Sequence, residues 1–191
     1  MNTTADKRCG WCQSSEVYIR YHDNEWGRPC HDSQRLFEMI NLEGAQAGLS
    51  WITILNKREG YRKNFAAFDP AEIAQFTDAK LDKISQDPAI VRHRQKVYAV
   101  RKNAQALLEL KSSGTDFSDF IWNYVDFKFI DNSVKALSDV PSSTPVSTQM
   151  SKDLKRLGFS FVGPTTCYAF MQAAGLVNDH LVSCPCYAEI S

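Results

Sequence analysis

Along most of the chain, apolar positions recur at three- and four-residue spacing, and no run alternates between hairpin turns, so the pattern predicts a mostly α protein. The strongest stretch is Leu36 to Leu55, LFEMINLEGAQAGLSWITIL, where Leu36, Met39, Ile40, Glu43 and Ala47 fall on one helical face. Asp32 is the expected N-cap of this helix, and Gly48 its left-handed stop. A second helix is expected from Ser50, with Trp51, Ile54, Leu55, Arg58, Tyr61 and Phe65 on one side. Asp69-Pro70 opens a short helix to about Phe76, and Thr77 caps another with Leu81 and Ile84 facing inward. Asp87-Pro88 repeats the cap-plus-proline signal and predicts a long helical region to Leu110, ended by Ser112-Ser113-Gly114. Phe117 to Val125 reads as a further helix, and 126–146 as the longest loop. A helix from Ser147 to Leu157, a stop at Gly158 and the turn FSFVGPTT lead into a second helix ending before Gly175. Residues 9–31 show no period before Asp32 and read as an irregular, aromatic-rich segment packed on the rest.

Length and charge narrow the picture. A chain of 191 residues suffices for one domain spanning 1–191. No apolar run approaches the ~18 residues that cross a bilayer, and MNTTADKRCGW lacks the apolar segment of a secretory signal. A cytoplasmic protein with no membrane partner is therefore expected. Twenty-two basic and 22 acidic side chains cancel, so net charge does not point to nucleic acid. In a reducing compartment the six cysteines are ligands or ordinary buried residues rather than disulfides.

Candidate chemistry sits in three places. Glu43 interrupts an apolar face, where an unpaired carboxylate costs several kcal/mol or takes up a proton. With Gly44, Gly48 and Trp51 nearby, it suggests a pocket for a flat, electron-poor ligand; the plainer reading is a loop cap or a partner for a core arginine. The hairpin between the last two long helices aims backbone amides near Val162, Gly163 and Thr165, and the helix start at Pro164, toward one point. That geometry suits a DNA phosphate without much positive charge, or is simply a helical hairpin of the core. The usual form has glycine where Phe161 stands. Arg92, His93, Arg94, Lys96, Arg101 and Lys102 are either a solvated face or part of such a surface. At the termini, Cys9 and His22 together with His180 and Cys184 would complete a Cys2His2 shell, closed and therefore structural. Cys9, Cys12, Cys184 and Cys186 are a rival four-cysteine set, and spacing does not choose between the two or exclude unrelated residues.

CGW, YxxYHDxEWG, LFEMINLEGAQAGLSWITIL, IVRHRQK, GFSFVGPTTCYAFMQAAGLVNDH and Cys184 together resemble the DNA-3-methyladenine glycosylase I family of the helix-hairpin-helix DNA glycosylase superfamily, from Cys9 to Tyr187. The resemblance implies an all-α fold with the helix-hairpin-helix at about 147–174. It also implies one structural zinc on Cys9, His22, His180 and Cys184, clasping the two ends. It implies a monomer that excises 3-methyladenine from double-stranded DNA in base excision repair. Glu43 would recognise the base as the catalytic-site acid, Tyr21 and Trp51 would stack on it, and Trp11 and Tyr18 would line the pocket. Ala169 departs from the family, where serine is usual, and removes a minor pocket contact.

The chemistry agrees with that implication. Alkylation at N3 makes adenine a cationic leaving group, so an enzyme must chiefly extrude the nucleotide, hold the base and admit water. Leu49, on the turn after Gly48, is the candidate wedge for the gap left in the duplex. Asp179 is the nearest carboxylate to support a sugar cation, a role on which this family does not depend. No lysine falls among the matched pocket residues, which speaks against a Schiff base. Two other classes are a zinc-clasped DNA-binding protein without catalysis and a thiol redox protein using Cys9-Gly-Trp-Cys12.

Overall fold

Caps and prolines divide the chain into the helices that the periodicity anticipates. The computed structural model describes residues 7–190. Its helices are α1 Glu16–Asn24, α2 Ser33–Gln46, α3 Trp51–Asn64, α4 Pro70–Ala74, α5 Asp78–Ile84, α6 Arg94–Ser112, α7 Phe117–Trp122, α8 Pro145–Arg156, α9 Pro164–Ala173 and α10 Pro185–Ile190. The Asp32 carboxylate accepts from the Arg35 amide at 2.7 Å, Thr77 caps α5, and Asp69 caps α4 with Pro70 at its first position. Gly48 stops α2 with φ +83, as expected. α8 begins two residues before the expected Ser147, because Thr144 and Ser147 cap each other's backbone amides and Pro145 follows.

α2 is the central helix. Leu36, Phe37, Ile40, Leu42 and Ala45 are buried on several sides of it, against α3, α6, α7 and α9. A chain of half-buried ion pairs holds the neighbouring helices to it. Arg58 on α3 and Arg35 on α2 both reach Glu25 at 2.6 Å, just past the end of α1; Arg35 and Arg62 both reach Glu38, at 3.1 and 2.8 Å. Shared carboxylates of this kind restrain three helices at once, where an isolated surface pair contributes little.

Three segments differ from the expectation. Residues 16–24 are helical, capped by Ser15 accepting from Tyr18 N at 3.2 Å. The inward side chains of this helix are Tyr21 and His22, so its buried face carries an imidazole and reads as polar. Asp87-Pro88 does not start a helix. The Asp87 carboxylate accepts from the Ala89 amide and from Asn64 Nδ2, and Lys57 Nζ donates to the Pro88 carbonyl at 2.6 Å. Those bonds hold 87–90 as a turn against α3, and α6 waits for His93, whose Nδ1 accepts from the Lys96 amide. The 126–146 connection holds a short 3₁₀ turn, Leu137–Asp139, and a two-residue strand β1 (Ile130–Asp131) that pairs in parallel with β2 (Val177–Asn178), Ile130 opposite Val177. The helical fold class stands.

The turn at 87–90 makes Gly60 informative. Mid-helix glycine to alanine should stabilise by about 1 kcal/mol on propensity alone. A Cβ at Gly60 would instead run into the Ala89 carbonyl. Gly60→Ala is therefore expected to lower the melting temperature, and a rise on thermal denaturation would contradict this packing.

Candidate active site

α1, α2, α3 and α9 enclose a cavity of about 430 Å³. Glu43 lies on its wall with 5% of its surface exposed. Among the described residues its carboxyl has no hydrogen-bond or ion-pair partner, and burial alone pushes its pKa up to about 8. The arginines that the plainer reading would pair with it are engaged by Glu25 and Glu38. Trp51, at the first turn of α3, lines the same cavity, and its indole Nε1 is buried without an acceptor. Two unpartnered polar groups against one apolar cavity are the mark of a site whose missing partner is a ligand.

Aromatic rings make the walls. Tyr21 and Trp51 stand 5.5 Å apart between centroids, tilted by 47°. Trp11 sits edge-on to Tyr18 and to Trp26, each at 5.0 Å. Such an arrangement offers π faces to a flat or cationic ring. Asp179 also lines the cavity, but three donors engage its carboxylate: Asn132 Nδ2 at 2.7 Å, Tyr168 Oη at 2.7 Å and Gln172 Nε2 at 2.8 Å. It ties β2 to α9 and to the segment after β1.

Behind Trp26 the chain ends meet. The ligand atoms of Cys9, His22, His180 and Cys184 lie within 4.8 Å of one another, all buried, and could hold a metal ion. Cys184 Sγ is 3.6 Å from His22 Nε2 and 3.8 Å from His180 Nδ1, and Cys9 Sγ is 3.7 Å from His180 Nδ1. The outer ring nitrogens have acceptors: His22 Nδ1 faces Asp23 at 2.8 Å, and His180 Nε2 faces the Trp26 carbonyl at 3.2 Å. Protons on those outer atoms leave the inner ones as lone pairs, which is what a cation needs. Cys9 hydrogen-bonding and both imidazoles hold the Cys184 thiol well below its ordinary range, while the same thiol pair and burial push Cys9 up. The donor set thus fits a soft divalent cation. Cys12 and Cys186 are not in this group. Cys12 Sγ donates to the Cys9 carbonyl, and Cys186 lies on the outer side of His22, next to Asp23. The four-cysteine alternative is not assembled among the described residues.

Trp26, Gln46, Leu137, Val140 and Gln172 line the cavity and were not singled out in the sequence. Trp26 stands between cavity and clasp, 4.7 Å from the His180 ring and near-parallel to His22 at 6.2 Å. Its place in the same short segment as Tyr21 was the available signal, and Gln172 follows Ala169 by one helical turn. Leu137 and Val140 come from the long connection, where no local pattern marks them. The sequence candidates for DNA contact fall outside the cavity. Leu49 is 39% exposed on the turn after α2, held by Gln46 Nε2 donating to its carbonyl at 2.8 Å. In the hairpin, the amides of Val162, Gly163 and Thr165 have no acceptor among the described residues, and a Cβ on Gly163 would meet open space. Val162 itself is buried, its carbonyl accepting from Ser151 Oγ at 2.6 Å to tie α8 to the start of α9.

Residues 11–187 match the family model described as methyladenine glycosylase. The chain is 55% identical over 179 residues to a DNA-3-methyladenine glycosylase of Haemophilus influenzae, covering 94% of this chain and 97% of that one. A crystal structure of 3-methyladenine DNA glycosylase I superposes with a TM-score of 0.92 at 50% identity, covering 94% of this chain and 98% of that one. A structure described as the basis of 3-methyladenine recognition by the Staphylococcus aureus protein superposes with a TM-score of 0.91 at 41% identity, covering 96% and 97%.

The unpaired Glu43 has a consequence for stability. Its folded pKa of about 8 lies above the ~4.3 of an unfolded glutamate, so the folded state holds a proton that the unfolded state releases between these values. Stability contributed here falls as pH rises through that window. Glu43→Gln is expected to match the parent near pH 4 and to exceed it by on the order of 2–4 kcal/mol at pH 8 in urea unfolding. An identical difference at both pH values would show that Glu43 is not held protonated by burial.

Proposed function

The chain belongs to the methyladenine glycosylase family, and from that premise we infer that it hydrolyses the N-glycosidic bond of 3-methyladenine in alkylated double-stranded DNA, starting base excision repair. The observation that carries this reading onto the chain's own residues is the pair of unpartnered groups, Glu43 carboxyl and Trp51 indole N–H, against one aromatic cavity. A base methylated at N3 is cationic while still attached to its sugar. Its approach lowers the Glu43 pKa, so the acid gives up its proton as the cation enters. The carboxylate then accepts from the exocyclic amine of the base. Tyr21 and Trp51 stack on the ring, and Trp11 and Tyr18 close the far wall. Aromatic faces add about 0.5–2 kcal/mol of preference for a cation over neutral adenine. When the glycosidic bond breaks, its electron pair stays with the base and cancels the ring charge, and water adds to the sugar carbon with loss of a proton. No lysine lines the cavity among the described residues, which supports hydrolysis without strand cleavage.

Outside the cavity, Leu49 is suited to fill the gap left by the extruded nucleotide. The amides of Val162, Gly163 and Thr165, at the positive end of α9, are suited to a backbone phosphate. This helix-hairpin-helix element needs little net charge, in keeping with equal numbers of acidic and basic side chains. The clasp is read as one structural zinc on Cys9, His22, His180 and Cys184. Four protein ligands leave no open position, so the ion would hold the chain ends and the Trp26 wall rather than activate water. The protein is expected to act as a monomer in the cytoplasm.

Base release from methylated DNA, identified by chromatography, tests the activity directly. Glu43→Gln should lose roughly tenfold to hundredfold both in excision and in affinity for free 3-methyladenine, the worth of a charge-assisted hydrogen bond of about 1.5–3 kcal/mol. Trp51→Ala should weaken the same affinity by removing stacking. Undiminished base binding by a folded Glu43→Gln protein would return Glu43 to the scaffold.

Metal analysis of the purified protein should find about one equivalent of zinc. Cys184→Ser should release it and lower the melting temperature, while Cys12→Ser and Cys186→Ser should retain it. Retention in Cys184→Ser, or loss in Cys12→Ser, would overturn the ligand assignment.

A further inference from the structure

The two segments read above as DNA-contacting, the turn at 47–50 and the hairpin at 158–163, come from opposite ends of the sequence and share one support. That support is a single face of α6. Asn103, 2% exposed, donates from Nδ2 to Asn41 Oδ1 on α2 at 2.9 Å and to the Ser160 carbonyl at 3.2 Å. Its Oδ1 accepts from the Ser160 amide at 2.8 Å. One side chain thus pairs both backbone groups of a hairpin residue and anchors them to α2. Lys96, two helical turns earlier on the same face, donates from Nζ to the Ala45 and Ala47 carbonyls at 2.8 and 2.6 Å. These are the last carbonyls of α2, immediately before Gly48 and Leu49, at the negative end of the helix dipole. Between the two contacts Gly44 faces Phe161 so closely that a Cβ would stand 3.1 Å from the Phe161 carbonyl oxygen and 3.2 Å from its Cβ. Phe161 holds a left-handed backbone (φ +59) at this point of the hairpin. None of Asn41, Lys96, Asn103, Ser160 and Phe161 lines the base cavity.

Apolar packing could join α6 to α2 without these bonds, but it would not fix the hairpin and the turn in register, because apolar contacts are non-directional. Directed hydrogen bonds to named backbone atoms do so. We propose that Asn103 and Lys96 are positioning residues that lock the hairpin and the turn after α2 at a set spacing, so that a phosphate held at one and a duplex gap filled from the other align with the base cavity. The proposal rests on the DNA-docking roles given to those segments above. It also gives Lys96 a use of its own on α6: its ammonium serves the turn after α2, whereas Arg94 pairs with Asp82 and Arg101 donates to the Phe76 carbonyl.

The test compares Asn103→Leu, Lys96→Met and Lys96→Arg with the parent protein. The readouts are kcat/KM for base release from methylated duplex, Kd for undamaged duplex as a function of salt, and Kd for free 3-methyladenine. Asn103→Leu and Lys96→Met are expected to lose roughly tenfold in duplex affinity and in kcat/KM, since small misplacements of binding groups are costly. Their affinity for the free base should be unchanged, and Lys96→Arg, which can still donate to two carbonyls, should retain most of the activity. Lys96→Met should also keep the parent's salt slope. Unchanged duplex binding, or a parallel loss of free-base affinity, would overturn the proposal, the latter by making both residues general scaffold. A salt slope reduced by about one in Lys96→Met would overturn it for Lys96, as a direct phosphate contact. Lys96 is partly exposed, so its variants carry the test if Asn103→Leu does not fold. A parent protein that binds duplex yet releases no base would refute the glycosylase reading, while the duplex affinities would still decide on the bridge.

Discussion

A carboxyl group buried without a partner is unfavourable, and the architecture around Glu43 is arranged to keep it that way. Arg35, Arg58 and Arg62 are paired with Glu25 and Glu38, and none of the three pairs with Glu43. The walls around it are aromatic rings with Leu137, Val140 and Ala169, interrupted by Gln46, Gln172 and Asp179, and Trp51 adds one further unsatisfied donor. An unpaired buried acid facing a cavity is a stored difference in free energy, lowered by a ligand that brings positive charge and a hydrogen-bond donor. On the function proposed above, stability given up at α2 would become selectivity for a damaged, cationic base over the neutral bases that surround it. On that proposal a glutamine there would suit the fold better and the chemistry worse.

That stored difference needs rigid surroundings, since a mobile wall would let water or a side chain satisfy the acid. The shared ion pairs among α1, α2 and α3 hold the Tyr21 and Trp51 rings at their separation. The clasp does the same for the far wall. Cys9 and His180 are 171 residues apart in sequence, and their approach packs the Trp26 ring between the two imidazoles and the cavity. A metal ion held by residues this far apart would bind the folded chain and not the unfolded one, so its binding energy would add to the stability of the closed arrangement. The Cys/His cluster lies outside the cavity but bears on it through Trp26.

Much of this was legible because it is local. The periods of α2 and α3, the caps at Asp32, Asp69 and Thr77, the Pro70 start and the Gly48 stop are written in a few consecutive residues, and each appears where expected. Glu43 was conspicuous because a charge on an apolar face contradicts its surroundings. The failures were equally physical. α1 went unread because its inward face carries His22, which a hydropathy pattern counts as polar. Asp87-Pro88 misled because a cap signal says only that an acceptor is available, and here α3 takes part in its use through Asn64 and Lys57.

By itself the sequence determined the helical class, the order of most elements, the odd acid in the central helix and, through long uncommon motifs, the family resemblance. Spacing named both candidate metal shells, and the resemblance pointed to the mixed one. The tertiary structure brings Cys9, His22, His180 and Cys184 within reach of one another and turns Cys12 and Cys186 aside. It also decided that Glu43 has no partner, that Asp179 has three, and that Leu137 and Val140 from the long connection close the cavity. The division follows from the range of the forces involved. Propensity, capping and amphipathic spacing act within a helical turn or two and leave a trace in adjacent residues. Ligand shells, engaged carboxylates and cavity walls are assembled from segments up to 171 residues apart, and no local window contains them.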